Sequence, residues 1–451
     1  MSVDLHHTAR PGASTESTSR LTRVTLGSLA AGAAAALLLS VVVFPGATEA
    51  VITGSLLVGF AIGWAMLALV SSRRTTQPQS WAKVPAIAMA ATGIALQAIS
   101  PADAALTALN WIWPLPLLAL VVWIAVQVRR SMPGFGRWLL APVLLVLAFA
   151  SVGATVENVS SLGDSSPRPA PGDTYTVGDH RLHIDCRGHG TPIVVLFNGL
   201  GEISASWARI TEKVADTTRV CAYDRAGEGW SDDVSEPQDG VAAAEDLHAL
   251  LAAAGEQGPF VLAGHSIGGP YAMTYAELYP DDVAGAVMLD SSSPFQLTAV
   301  PSYPMQYALM RRGLALMPTL ARIGLGPVIS AGSHLPTDQA DVVDAMNATP
   351  RAMRVARDEL SVIPVVFEQA QSLTSLGDRP LVVLTSSEQA GTEGWTPAQD
   401  RIAALSTDSQ HRVVESTHAG MVDDPHGSAE SARAISSVVM AVRTGTPLTA
   451  S

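Results

Sequence analysis

Apolar residues are distributed along this chain in two different ways. Up to about residue 160 they come in long, nearly unbroken runs, at 24–44, 51–70, 84–99, 111–128 and 138–156. Runs of that length approach what a helix needs to cross a hydrocarbon core, and they lack the polar stripe of a helix packed on a soluble core. From residue 174 the runs become short and alternate with amphipathic stretches. Strands are expected at 174–178, 181–186, 192–198, 219–223, 259–264, 285–290, 380–385 and 411–415, the first two forming a hairpin across Gly178-Asp179. Short apolar runs separated by helical stretches are the pattern of a mainly parallel sheet covered on both faces. The expected organisation is a cytoplasmic tail (1–23), an all-α transmembrane region of about five helices (24–156) and a linker (157–173). An α/β domain (174–443) and a short tail (444–451) follow.

Charge sharpens this division. The first 160 residues hold nine Lys+Arg and five Asp+Glu, a net of +4 within a whole-chain −13, so the remainder is strongly acidic. With five spans the connecting segments alternate sides, and the basic residues fall together: Arg10, Arg20 and Arg23; Arg73, Arg74 and Lys83; Arg129, Arg130 and Arg137. Glu49, Asp103 and Glu157 fall on the other side. By the positive-inside rule the basic side is cytoplasmic and the acidic domain is extracytoplasmic, in the plasma membrane; a four-span arrangement would scatter the basic segments. No basic stripe suggests nucleic acid. Ser2 to Arg20 is rich in Ser and Thr and reads as an unstructured tail, and the Pro-rich stretch from Ser165 to Gly172 reads as a stiff linker.

The most telling local pattern is Gly264-His265-Ser266-Ile267-Gly268, directly after the apolar run Phe260–Ala263 and before a helical stretch closed by Pro280. A serine between two glycines at a strand-to-helix turn has its hydroxyl lifted clear of the sheet, beside the free N–H groups of the helix that follows. The side chain of His265 leaves on the opposite face from Ser266, which makes it a packed or hydrogen-bonded neighbour of the serine. At this point the sequence resembles the α/β-hydrolase fold family over about residues 174–443, and more narrowly actinobacterial members with an N-terminal multi-span membrane region. Three further stretches carry the likeness. Phe197-Asn198-Gly199-Leu200-Gly201 is similar to the oxyanion loop, with Asn198 where His is commoner. Tyr223 to Asp232 resembles the Asp-Arg-x-Gly-x-Gly-x-Ser loop, where Asp224 reads as a loop brace. Glu245 to Leu251 resembles the helix before the nucleophile strand.

The resemblance implies a fold of eight mainly parallel strands with a helical cap, here about 294–377. It also implies a site that needs no cofactor or metal. Ser266 would be the nucleophile and His418, in Thr417-His418-Ala419-Gly420, the base, with His426 and His411 as nearby alternatives. The acid would be Asp290, at the end of the sixth strand, with Glu388, after the seventh, as the alternative. The backbone N–H groups of Ile267 and Leu200 would form the oxyanion hole. The family's strand order makes the second and fourth strands neighbours, so Cys186 and Cys221 could pair; two buried free thiols are the other reading. Met305, Leu309, Leu314, Leu316, Met317, Leu320 and Ile323 give the cap apolar faces that either pack on the core or receive a hydrophobic ester.

These residues imply a membrane-anchored serine hydrolase that cleaves carboxylic esters of small molecules or lipids through an acyl-enzyme. Amide or peptide hydrolysis on the same fold, or a non-catalytic ligand-sensing domain, are the competing readings. A serine at the turn, where an aspartate would serve dehalogenase or epoxide hydrolase chemistry, argues against those two reactions.

Overall fold

The computed structural model describes residues 12–132, 134–163 and 170–448. The chain forms two compact units, one of residues 1–163 with Arg322–Leu325 and one of the rest.

In the first unit, helices at Ser19–Val43, Glu49–Arg74, Ser80–Ile99, Pro114–Ser131 and Gly136–Ser160 are each long and apolar enough to cross a membrane. They correspond to the five apolar runs. The first two pack through small residues: a Cβ added at Gly59 would lie 2.4 Å from the Ala36 backbone, so the backbones approach as closely as membrane helices do. Trp64, Trp81 and Trp123 form an aromatic cluster with centroid spacings of 5.9 and 6.4 Å. Two boundaries differ from expectation. The first helix starts at Gly12, so the tail is helical from there to Arg20, and the last runs to Gly163, so the first part of the expected linker is helix. Once a helix is nucleated, extending it adds one hydrogen bond per residue fixed, which outweighs the weak preferences of the flanking Ser and Thr. Residues 1–11 and 164–169, the rest of the expected tail and the middle of the linker, lie outside the described residues.

The second unit is built on an eight-stranded sheet: β1 (Asp173–Val177), β2 (His180–Arg187), β3 (Ile193–Phe197), β4 (Val220–Tyr223), β5 (Phe260–His265), β6 (Val283–Leu289), β7 (Leu381–Ser386) and β8 (Ser409–Val414). Its order is β1-β2-β4-β3-β5-β6-β7-β8. β2 runs antiparallel to both neighbours and all other pairs are parallel. β3, β5 and β7 are buried at every position because helices cover both faces, which is why their sequences are mainly apolar, without polar alternation. Helices Gly240–Ala254 and Gly268–Leu278 supply the core of one face, and Ala208–Ala215 and Pro425–Thr444 that of the other. Cys186 faces Cys221 across the β2/β4 ladder, and the two are joined in a disulfide.

Between β6 and β7 lie the helices of the expected cap, the longest being Pro350–Ala370. It is capped by Thr349, whose hydroxyl accepts from Ala352 N–H, and opened by Pro350. Its Leu360, Ile363, Val366 and Phe367 are buried in the core. A sixth stretch long and apolar enough to cross a membrane, Tyr303–Ser330, also lies here. In sequence Arg311 and Arg312 divide its apolar residues, so it lacks an unbroken apolar run. The stretch is bent at Ile323 and Gly324, whose backbones are non-helical. Met305 and Leu309 on it are 66% and 60% exposed, so they do not pack on the core.

Candidate active site

β5 delivers the chain into the turn Ser266-Ile267, from which the helix Gly268–Leu278 departs. Ser266 has φ +54°, a left-handed conformation that is uncommon for a residue with a side chain and costs of order 1–3 kcal/mol. The surrounding backbone holds it there. Ser266 N–H donates to Leu289 O at 3.2 Å, and its carbonyl accepts from Gly269 N–H at 3.2 Å and Ser292 N–H at 2.8 Å. The flanking glycines are required by close approach: a Cβ at 264 would lie 2.7 Å from the Gly268 backbone, and one at 268 would lie 2.2 Å from the Phe197 carbonyl oxygen.

Asp290 follows β6 and also has a left-handed backbone, φ +43°. It is fully buried. Its N–H donates to Leu384 O at 2.7 Å, and its Oδ1 accepts from Ser386 N–H at 3.0 Å. Oδ2 accepts from Ser386 Oγ and from His418 Nδ1, both at 2.7 Å. Burial by itself would raise the Asp290 carboxyl. The hydrogen bond and charge of His418, with the two Ser386 bonds, outweigh it and hold the group below the usual carboxylate value. With Nδ1–H committed to Asp290, Nε2 of neutral His418 is the basic nitrogen. The His418 ring lies 4.7 Å from that of His265, the residue before Ser266. No Ser266–His418 side-chain hydrogen bond is formed among the described residues; such bonds commonly tighten only when substrate is bound.

Glu388, the other candidate acid, reaches a different part of the same residue. Its Oε2 accepts from the main-chain N–H of His418 at 2.6 Å, so it braces the loop and leaves the imidazole to Asp290. His411 is spent on Thr385 and Asp400, and His426 lies in the first turn of the last helix. Neither meets Ser266. The N–H groups of Ile267 and Leu200 have no protein acceptor among the described residues, as an oxyanion hole requires.

Asn198 braces the loop that carries the candidate oxyanion donor Leu200. Its Nδ2 donates to Tyr223 O and to Glu228 Oε2, each at 3.0 Å, and its Oδ1 accepts from Trp207 Nε1 at 2.8 Å. Arg225, buried, donates to Asn198 O at 2.8 Å and pairs with Glu228 at 2.7 Å and with Glu359 of the cap helix at 2.5 Å. The oxyanion loop, the Asp-Arg loop and the cap are thus tied to one guanidinium. Asp224 is a loop brace, as expected: it accepts from Ser204 N–H at 2.6 Å and Trp230 N–H at 3.1 Å and pairs with buried His183 at 2.8 Å. Sequence reasoning missed His183, Ser386 and Glu202, whose roles depend on partners far away in the chain; for Glu202 the signal was an acid three positions after Gly199. Among the described residues one group has the spacing of a metal site, Cys186, Cys221 and Glu256, and its two sulfurs are bonded to each other.

Residues 192–325 match the profile of the alpha/beta hydrolase fold family. An uncharacterized protein of Schizosaccharomyces pombe is 30% identical over 175 residues, 32% of this chain and 32% of that one. An uncharacterized protein of Mycobacterium tuberculosis is 29% identical over 210 residues, 45% of this chain and 60% of that one. The chain therefore spans less than two thirds of either relative. Among solved structures, DBJA is 18% identical with a TM-score of 0.50, covering 61% of this chain and all 100% of its own. A thermophilic esterase from Thermogutta terrifontis is 22% identical with a TM-score of 0.45, covering 59% and 96%. At such identities the likeness is one of fold. With its sheet order, its strained serine turn and this match over residues 192–325, the unit from Ala170 onward has the α/β-hydrolase fold.

Proposed function

We propose that the protein is a membrane-anchored serine hydrolase that cleaves carboxylic esters through a covalent acyl-enzyme. The observation that carries this reading is the 2.7 Å bond from His418 Nδ1 to buried Asp290, beside the strained turn that presents Ser266. His418 Nε2 takes the proton of Ser266 as its oxygen bonds to the acyl carbon. The carbonyl electrons move onto oxygen, which receives the N–H groups of Ile267 and Leu200. The proton then passes to the departing alkoxide as the C–O bond breaks. Water, deprotonated by the same nitrogen, releases the acid and restores Ser266. Asp290 stays ionised throughout and keeps the imidazole in the required tautomer.

The apolar cap favours a hydrophobic or lipidic ester, and the first five apolar helices are the anchor. The grouping of basic residues favours an extracytoplasmic hydrolase unit, where a disulfide persists. A fluorophosphonate probe tests the chemistry: it should label the wild-type chain and fail to label Ser266→Ala. Absence of labelling in the wild type would favour a ligand-sensing domain. Labelling with turnover of amides in preference to esters would make the protein an amidase or peptidase.

A further inference from the structure

His265 precedes the candidate nucleophile, yet its side chain lies on the other side of the chain and is 3% exposed. Both of its ring nitrogens meet acceptors. Nδ1 lies 2.5 Å from Glu202 Oε1, and Nε2 lies 3.0 Å from the carbonyl oxygen of His418. A carbonyl can only accept, and so can an ionised carboxylate. A neutral imidazole carries one N–H, so satisfying both contacts with Glu202 ionised requires the doubly protonated ring.

Glu202 does more than hold this cation. Its other oxygen, Oε2, accepts from Gly199 N–H at 2.5 Å, while Glu202 N–H donates to Gly199 O at 3.2 Å. The two bonds close a turn with Leu200, the candidate oxyanion donor, inside it. A Cβ at Gly199 would lie 3.1 Å from both the Glu202 carboxylate and His265 Nδ1, so the turn is packed directly on the pair. One carboxylate and one imidazole thereby connect the oxyanion turn after β3, the serine turn after β5 and the histidine loop after β8.

We infer that Glu202 and His265 form a charged positioning pair, with His265 held as a cation between Glu202 and the His418 carbonyl, setting the oxyanion turn and the His418 loop for acyl transfer at Ser266. The inference rests on the acyl-transfer reading above. The pair is neutral as a unit, so it fixes geometry without opposing the charge His418 acquires during reaction. The groups facing His265 agree in sign. Burial would lower its pKa, but the Glu202 charge and hydrogen bond, the Asp290 charge and the His418 carbonyl outweigh this and raise it above 6.5. Burial would raise Glu202, and His265, the Gly199 N–H and His418 bring it below its usual value. Glu359 of the cap also faces Glu202 at longer range, and the Glu202 charge helps to raise its carboxyl. The cation therefore persists to higher pH than that of a free imidazole and is lost as pH rises through the raised His265 value.

Two measurements on the full chain in detergent test this. In a sample labelled with 15N-histidine, the signals missing from His265→Gln assign this ring. Both nitrogens should be protonated at neutral pH, and Glu202→Gln should leave only one protonated. A singly protonated ring in the wild type overturns the inference. The second readout is the pH profile of fluorophosphonate labelling at Ser266. Glu202→Gln should label about ten- to a hundredfold more slowly, the scale of a displaced catalytic group, and lose activity at lower pH on the alkaline side. Glu202→Asp should keep an alkaline limb near that of the wild type. A Glu202→Gln profile that differs only in height would mean that the pair merely packs, and overturns the inference. A wild-type chain that is not labelled sinks the acyl-transfer reading, and the nitrogen signals still report the state of His265.

Discussion

Asp290 holds the imidazole of His418 at 2.7 Å, while Glu388 holds the main-chain N–H of the same residue at 2.6 Å. The two carboxylates come from the ends of neighbouring strands, β6 and β7, and in sequence they are rival candidates for one role. In space they have separate roles, one orienting the base and the other bracing the loop that carries it.

Removing them should therefore have unequal effects. Asp290→Asn lets the imidazole adopt the wrong tautomer and should slow Ser266 labelling by about 10³–10⁴-fold, as in other serine triads. Glu388→Gln keeps an oxygen that can accept from the His418 N–H and should cost about tenfold or less. Losses of similar size would mean that the imidazole is not oriented by Asp290.

The disulfide closes a loop between residues 35 apart in sequence. A loop of that length corresponds to about 3–4 kcal/mol of stabilisation by chain entropy. The purified protein should show no free thiol until it is denatured and reduced. The Cys186→Ala/Cys221→Ala double variant should unfold at a clearly lower temperature. Two reactive thiols in the non-reduced protein would contradict the pairing.

Glu228 and Glu359 share the single guanidinium of Arg225 in a buried site. Burial, with mutual repulsion, pushes Glu228 up to about 8 and raises Glu359 as well, in spite of Arg225. The pair therefore takes up a proton on folding that the unfolded chain releases near 4.5. The folded state binds more protons between these two values, so stability falls as pH rises from about 4.5 to 8. Glu359 bonds Arg225 through Oε1, which leaves its Oε2 to carry the proton. Glu359→Gln imitates that protonated state. Its melting temperature should match the wild type in mild acid and exceed it in mild alkali. Parallel melting curves across that range would refute the shared proton.

For topology, the proposed five spans with a cytoplasmic N-terminus would place the hydrolase unit outside the cell. Protease added to intact cells, with any outer envelope permeabilised, should remove the hydrolase unit and spare an N-terminal tag. A protected hydrolase unit would overturn the five-span arrangement. Partial digestion within 303–330 would implicate the sixth apolar stretch in the topology.

Much of this architecture is legible in the chain because it is written locally. Strands β3 to β7 were marked by short apolar runs, and the serine turn by glycines whose absent side chains leave room for neighbouring backbone. The helical start at Gly12 was not legible, because a Ser/Thr-rich segment has weak preferences of its own and follows the helix beyond it. Nor was the membrane-like length of Tyr303–Ser330, whose arginine pair interrupts the pattern that signals a span.

By itself the sequence determined the α/β sheet, Ser266 as candidate nucleophile, His418 as its candidate base and two cysteines within reach of pairing. Tertiary structure alone decided which carboxylate faces the imidazole, through the register of β6 on β7, Leu289 beside Leu384, which sets Asp290 against Ser386. It also decided that Asn198 is a brace, and that Glu202, 63 residues before His265, is that ring's partner. The physical reason is common to all three. Backbone conformation and burial follow from short-range pattern, but a buried charge is defined by its partner, and chain folding alone brings the two together.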